Sequence, residues 1–238
     1  MYDNYSRQPS TWERLSGTTT MTAAQSAVIK QTYLLLGLSV FSAMAGGFIG
    51  ATSETVLSFM TSRIGFIVAL VALNVVPWIA MSCRHNPVLG VSALVGDGFL
   101  AGLVISPLLA LAAAVAPQMI VAAMAITAAV FAAVTGYVFA SKREFSAPRG
   151  LMVGLFVAVT AGVILNMFLH IGWLGVVISI GIGAIGVLGL VYSTSGVLRS
   201  GEADSPIPGA LALFAGLFNI FVAALNLLLR LTSLGRRD

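Results

Sequence analysis

The sequence predicts an all-α integral membrane protein, a bundle of seven transmembrane helices with the last helix at its centre. Three observations carry this. Of 238 residues, 58% are hydrophobic and 8% are charged, whereas a soluble domain carries about 25% charged residues. So few charges cannot cover a water-facing surface, so the chain calls for a bilayer as its solvent. Apolar stretches of near-spanning length recur seven times, separated by breakers or charges. The last stretch places Gly209, Ala212, Gly216, Asn219, Ala223 and Asn226 at alternating spacings of three and four, one stripe on one helical face. In lipid, small and amide side chains mark packed faces, so this final helix is expected to be surrounded by the others.

The elements follow in order. Residues 1–28, rich in Ser and Thr and containing Pro9, read as a disordered polar tail. A signal peptide would place its apolar stretch earlier and follow it with a cleavage site. Residues 29–230 form the transmembrane domain, and 231–238 a short basic tail. A helix needs about 20 residues to cross the hydrocarbon with every backbone group bonded internally. Span one, Ile29–Ala51, ends at Thr52, Ser53 and Glu54. Span two, Ile64–Ser82, holds Asn74 three residues before Pro77. A helical proline frees a carbonyl, which the nearby amide is expected to help satisfy. After Arg84, His85 and Asn86, span three runs from Pro87 to Leu109, with Pro107 kinking or ending it.

Pro117 precedes span four, Gln118–Ala140, and Lys142, Arg143 and Glu144 follow it. Span five, Leu151–Leu169, carries Gly154, Ala158, Gly162 and Asn166 at spacing four, a stripe expected to face protein. Only His170, Ile171 and Gly172 separate it from span six, Trp173–Leu190, which implies a tight hairpin. In span six, Gly175, Ser179, Gly183, Gly186 and Gly189 read as sites of close helix approach. A joint from Arg199 through Pro208 leads to span seven, Ile207–Leu229.

Lys and Arg set the orientation. With a cytoplasmic N-terminus, the inside holds Arg7, Arg14, Lys30, Arg84, Lys142, Arg143, Arg149 and Arg199, and the outside joints after spans three and five hold none. Arg230, Arg236 and Arg237 then lie outside, unless the last segment re-enters and returns the tail inside.

Asp97, within Gly96–Asp97–Gly98, is the one carboxylate well inside a predicted span. An intramembrane acid is a functional candidate by default; the plainer reading is an acid near a helix end, reached by water. Asn166, Asn219 and Asn226 either pack helices tightly or line a polar path. Cys83, His85 and His170 lack partners at metal-ligand spacing, so no metal or cofactor is expected. The basic residues form no aromatic-interleaved stripe, so nucleic acid is not an expected partner. Thr194–Ser195–Gly196 resembles the rhomboid protease motif, but residue 193 is Ser where that motif needs Gly. Both histidines precede Ser195, whereas that chemistry needs a later one. Asp97 has no second carboxylate for aspartyl proteolysis, and the last span holds no Lys for a retinal. An enzyme is not expected.

Several segments together resemble the Bax inhibitor-1 family, especially its bacterial YccA-like branch. They are Lys30–Tyr33, Gly102–Leu109, Lys142–Ser146, Gly150–Gly154 with Leu165–Leu169, Tyr192–Gly196 with Gly201–Glu202, and Ala212–Phe214 with Phe218–Phe221. The resemblance covers about residues 28 to 232. It implies a seven-helix fold with the last helix enclosed by six. It implies a protein of the bacterial inner membrane, and for the YccA-like branch a link to the membrane-anchored AAA protease FtsH, as substrate and modulator. The polar N-terminal tail would be the handle such a protease grips. Some family members are pH-sensitive calcium leaks closed by an aspartate pair on the last two helices. Those aspartates fall on Ser193 and Gly216, neither of them acidic. The expected function is therefore a regulator or substrate of membrane protein quality control. The alternatives are a calcium or proton leak without the acid pair, with Asp97 as its sensor, and a purely structural bundle.

Overall fold

The computed structural model describes residues 23–141, 145, 149–199 and 205–234. Among the described residues, eight helices follow in order: α1 Ala23–Thr52, α2 Glu54–Thr61, α3 Arg63–Ser82, α4 Pro87–Val115, α5 Gln118–Ala140, α6 Arg149–Leu169, α7 Gly172–Arg199 and α8 Ile207–Leu234. All but α2 are long and apolar enough to cross a membrane. No strand occurs among the described residues.

Side chains at the joints cap the helix starts. The Ser62 hydroxyl accepts from the Gly65 N–H at 3.0 Å, and Asn86 Oδ1 accepts from the Leu89 N–H at 3.2 Å. Pro87 follows at the first helical position, where a missing N–H leaves no bond unmade.

Several boundaries differ from the sequence reading. Helix α1 begins at Ala23, so the last residues of the expected 1–28 tail are helical, and residues 1–22 lie outside the described residues. Ala23, Ala24 and Ala27 favour helix without needing lipid. The joint after span one contains the unforeseen α2, whose start Ser53 caps through the Val56 N–H. Helix α4 continues through Pro107 to Val115. Pro107 frees the Leu103 carbonyl, and the Ser106 hydroxyl donates to that oxygen at 2.7 Å. The compensation expected at Pro77 is absent: Asn74 donates to the Leu70 carbonyl, not to that of Leu73. Helix α7 runs on to Arg199, past the Leu190 expected to end span six, so Tyr192–Gly196 is helical.

Helix α8 touches α1, α3, α4, α5 and α7, five of the six other spans. Of its most apolar stretch, 44% is buried, the largest share in the molecule. The last helix is therefore central, and its stripe is buried at Gly216 and Ala223 but exposed at Ala212. Helix α6 sits at the other extreme: among the described residues it packs on α7 alone, with none of its stretch buried. This corrects the expectation that its whole small-residue stripe faces protein. Gly162 meets Ile178, but Gly154 has open space around it and Ala158 is exposed.

Two seams hold the bundle. Helix α1 lies along α4, with Gly98 and Gly102 set against the backbone carbonyls of Ser39 and Ala43. The Ser42 hydroxyl donates across this seam to the Val95 carbonyl at 2.8 Å. Helix α7 lies along α8, with Gly186 against Gly216 and Ile220. The surface is apolar: Phe41 is 71% and Trp78 is 78% exposed, while Thr32, Ser39, Ser106 and Ser179 are buried. Trp78 and Trp173 stand near opposite ends of the spans, where aromatic rings suit the two membrane interfaces.

Candidate functional site

The seam of α7 and α8 holds Ser193 and Gly216. A Cβ at Gly216 would sit 3.1 Å from the Gly186 carbonyl oxygen and 3.1 Å from the Leu190 backbone nitrogen. A side chain there would push the two helices apart, so glycine is what lets them touch. The Ser193 hydroxyl donates to the Gly189 carbonyl at 2.6 Å and is satisfied within its own helix. The seam is therefore a tight backbone contact at this level.

Asp97 stands on the inner face of α4, 5% exposed, and its Oδ1 has no hydrogen-bond partner. Its helix neighbours fix its level. Leu94 packs with Ile207, Ala210 and Leu211, and Ala101 with Leu213 and Phe214. Asp97 thus faces the first half of α8, eleven residues into α4. A buried, unpaired acid is expensive in hydrocarbon, so it is the most unusual polar group in the core.

The asparagines serve the opposite end of the bundle. Asn166 Oδ1 accepts from the Ile171 N–H at 3.0 Å, closing the α6–α7 turn. His170 in that turn has a positive φ of 52°. Asn226 Oδ1 accepts from Arg230 Nε at 3.0 Å, and Arg230 Nη1 donates to the Gly172 carbonyl at 3.0 Å. Asn166 and Asn226 thus converge on one turn and fasten it to α8. Asn219 is half-buried on α8, near the level of Gly216.

The sequence candidates therefore do not join into one path. The fifteen or so residues of α8 between the level of Asp97 and Asn226 correspond to about 20 Å of helix. Leu36, Ala101, Leu190, Leu213, Phe214 and Ile220 fill the interval as an apolar cluster.

The sequence reading missed a group of buried hydroxyls. Tyr33 Oη and Thr135 Oγ1 are buried and face one another between α1 and α5, and Thr194 Oγ1 is buried without a hydrogen-bond partner. A single Ser or Thr in an apolar run gives little signal, because its hydroxyl can bond its own helix. Ser195 accepts from the Phe145 N–H at 3.1 Å, which ties the α5–α6 joint to α7. That bond gives the serine a packing role. Among the described residues, no group of three or more His, Cys, Asp or Glu could hold a metal ion.

Comparison with known proteins matches residues 25–233 to the family described as inhibitor of apoptosis-promoting Bax1. Among similar proteins is the Modulator of FtsH protease YccA of Escherichia coli K12, 31% identical over 84% of this chain and 89% of that protein. An uncharacterized protein of Neisseria meningitidis serogroup B is 33% identical over 90% of this chain and 95% of its own length. One from Campylobacter jejuni is 29% identical over 88% of this chain and 90% of its own.

Proposed function

The chain belongs to the Bax inhibitor-1 family, and from that premise we propose that it is a multi-pass inner-membrane substrate and modulator of an FtsH-type AAA protease. The observation that carries this is the likeness, along most of both chains, to an Escherichia coli protein named for modulating that protease. The Lys and Arg distribution supports a cytoplasmic N-terminus, on the side where such a protease works.

The fold supplies a mechanism. The polar N-terminal residues lead directly into α1, and α1 lies along α4 in a close backbone seam. A motor gripping the N-terminus therefore loads that seam first. Extraction must break the Ser42–Val95 hydrogen bond and the glycine contacts around it before α1 can leave. A chain that is gripped readily but extracted slowly occupies the protease and slows its other work. Deleting residues 2–20 removes the handle, so the chain's half-life in cells should lengthen when the protease is present and stay unchanged when it is absent. Equal half-lives of the intact chain with and without the protease would sink this reading.

A leak for calcium or protons is the second reading, and the buried, unpartnered carboxyl of Asp97 is what favours it. Its test is flux into vesicles loaded with a calcium or pH dye. On this reading Asp97→Asn changes the flux or its pH response; identical traces for the two proteins, or none above empty vesicles, remove it.

A further inference from the structure

A cavity of about 880 Å³ opens on the side of the bundle, bounded by α1, α4, α5 and α8. Such a volume lies within the roughly 300–1,000 Å³ of ligand pockets. Its shape follows from the helices. Along α4 the lining runs from Gly102 to Ala114 and along α1 from Val40 to Thr52. Each run corresponds to about 18 Å of helix at 1.5 Å per residue. One leaflet of hydrocarbon is about 15 Å deep. The cavity is therefore a groove along the helix axes, about as long as one leaflet is deep, in the half of the bundle away from the N-terminus of α1.

The groove opens sideways. Helices α1 and α5 form its flanks without close backbone contact, and Tyr33 of α1 meets the Phe131 ring of α5 beyond the inner end of the α1 lining. Phe48 on α1 and Met124 on α5 both line it and both are exposed. Phe214 and Phe218 of the central helix, stacked with centroids 6.0 Å apart, lie at its inner end. Polar chemistry is missing from the walls. The lining hydroxyls, Thr52 and Thr127, donate to the Phe48 carbonyl at 2.8 Å and the Ala123 carbonyl at 2.7 Å. Their protons are committed to helix carbonyls, which leaves these two oxygens only as acceptors in an otherwise apolar wall.

We infer that this groove binds one acyl chain of a phospholipid from that leaflet, laid against the phenylalanines of the central helix. Length, lateral opening and apolar lining all match a lipid tail, and the bilayer supplies that ligand at high concentration. The headgroup stays at the interface near Thr52, and the tail reaches the middle of the membrane beside Phe214.

The test uses the full chain in phosphatidylcholine–phosphatidylglycerol vesicles with acyl chains brominated at mid-chain. Trp12, Trp78 and Trp173 are changed to Phe, and Phe218→Trp places one indole reporter within the groove. A second protein keeping only Trp78 reports ordinary lipid contact. The groove reporter should be quenched to the level of Trp78. Filling the groove with Ala128→Phe, alone or with Ala113→Phe, should restore the reporter's emission while leaving Trp78 quenching unchanged in the matching background. A groove reporter that stays bright while Trp78 is quenched overturns the inference, as does quenching that survives the filled groove. Quenching that appears only when protein is diluted in lipid gives the groove to a second copy and overturns it too.

Discussion

At the scale of single residues, the α7–α8 seam depends on the absence of a side chain at position 216. Gly216→Val inserts atoms where an added Cβ already lies 3.1 Å from two backbone atoms. Overpacking of this kind costs about 1–3 kcal/mol. A reversible unfolding assay in mixed micelles should show that loss, and a variant as stable as the parent would mean the seam yields easily. His170 tells the opposite story. Its φ of 52° is left-handed backbone, which costs a non-glycine residue about 1–2 kcal/mol. His170→Gly should therefore be neutral or stabilising in the same assay, and a clear loss would give the imidazole a role beyond the turn. Polar residues were the hardest to read from sequence. Asn166 and Asn226 were visible as amides that must face something polar, but not which partner each would find. Asn166 bonds five residues along its own chain, and Asn226 bonds Arg230. Both answers are local geometry at a turn, which a stripe pattern does not encode.

At the scale of elements, span positions were legible because seven apolar runs sit between breakers, and the bilayer fixes their length. Helix ends were less legible. Lipid sets only the middle of a helix, so α1, α4 and α7 run past the apolar stretch wherever propensity and capping allow. The small-residue stripe of the fifth span was clear in sequence, yet α6 buries little of it, since a stripe says a face is smooth without saying what covers it. The α1–α4 seam has a consequence for turnover. Gly102 abuts the Ala43 carbonyl, so Gly102→Val should weaken the grip of α4 on α1. On the extraction mechanism this speeds degradation by a membrane-anchored AAA protease, read by pulse-chase. Slower or unchanged degradation of folded Gly102→Val would dissociate the seam from extraction.

At the scale of the whole molecule, the surface is inverted relative to a soluble protein: large apolar side chains face outward, while hydroxyls join Leu, Ile and Ala in the core. In hydrocarbon, burying Leu or Phe gains little, so close backbone approach and interhelical hydrogen bonds decide which helix lies where. That is why the central place of α8 was readable from its small-and-amide stripe. It is also why the groove between α1 and α5 was not readable: a cavity is a gap between faces, and no single face announces it. Asp97 and the pair Asn166 and Asn226 sit near opposite ends of the bundle, and an apolar cluster fills much of the interval, where Asn219 is half-buried. The central claim is that this bundle modulates a protease. It is tested most directly by degradation of a labelled membrane substrate by a purified FtsH-type protease in vesicles, with and without equimolar chain. The account predicts that the intact chain slows substrate loss while being consumed slowly itself, and that the chain lacking residues 2–20 has a smaller effect. Substrate loss at the same rate in all three cases, with the chain folded and untouched, contradicts it.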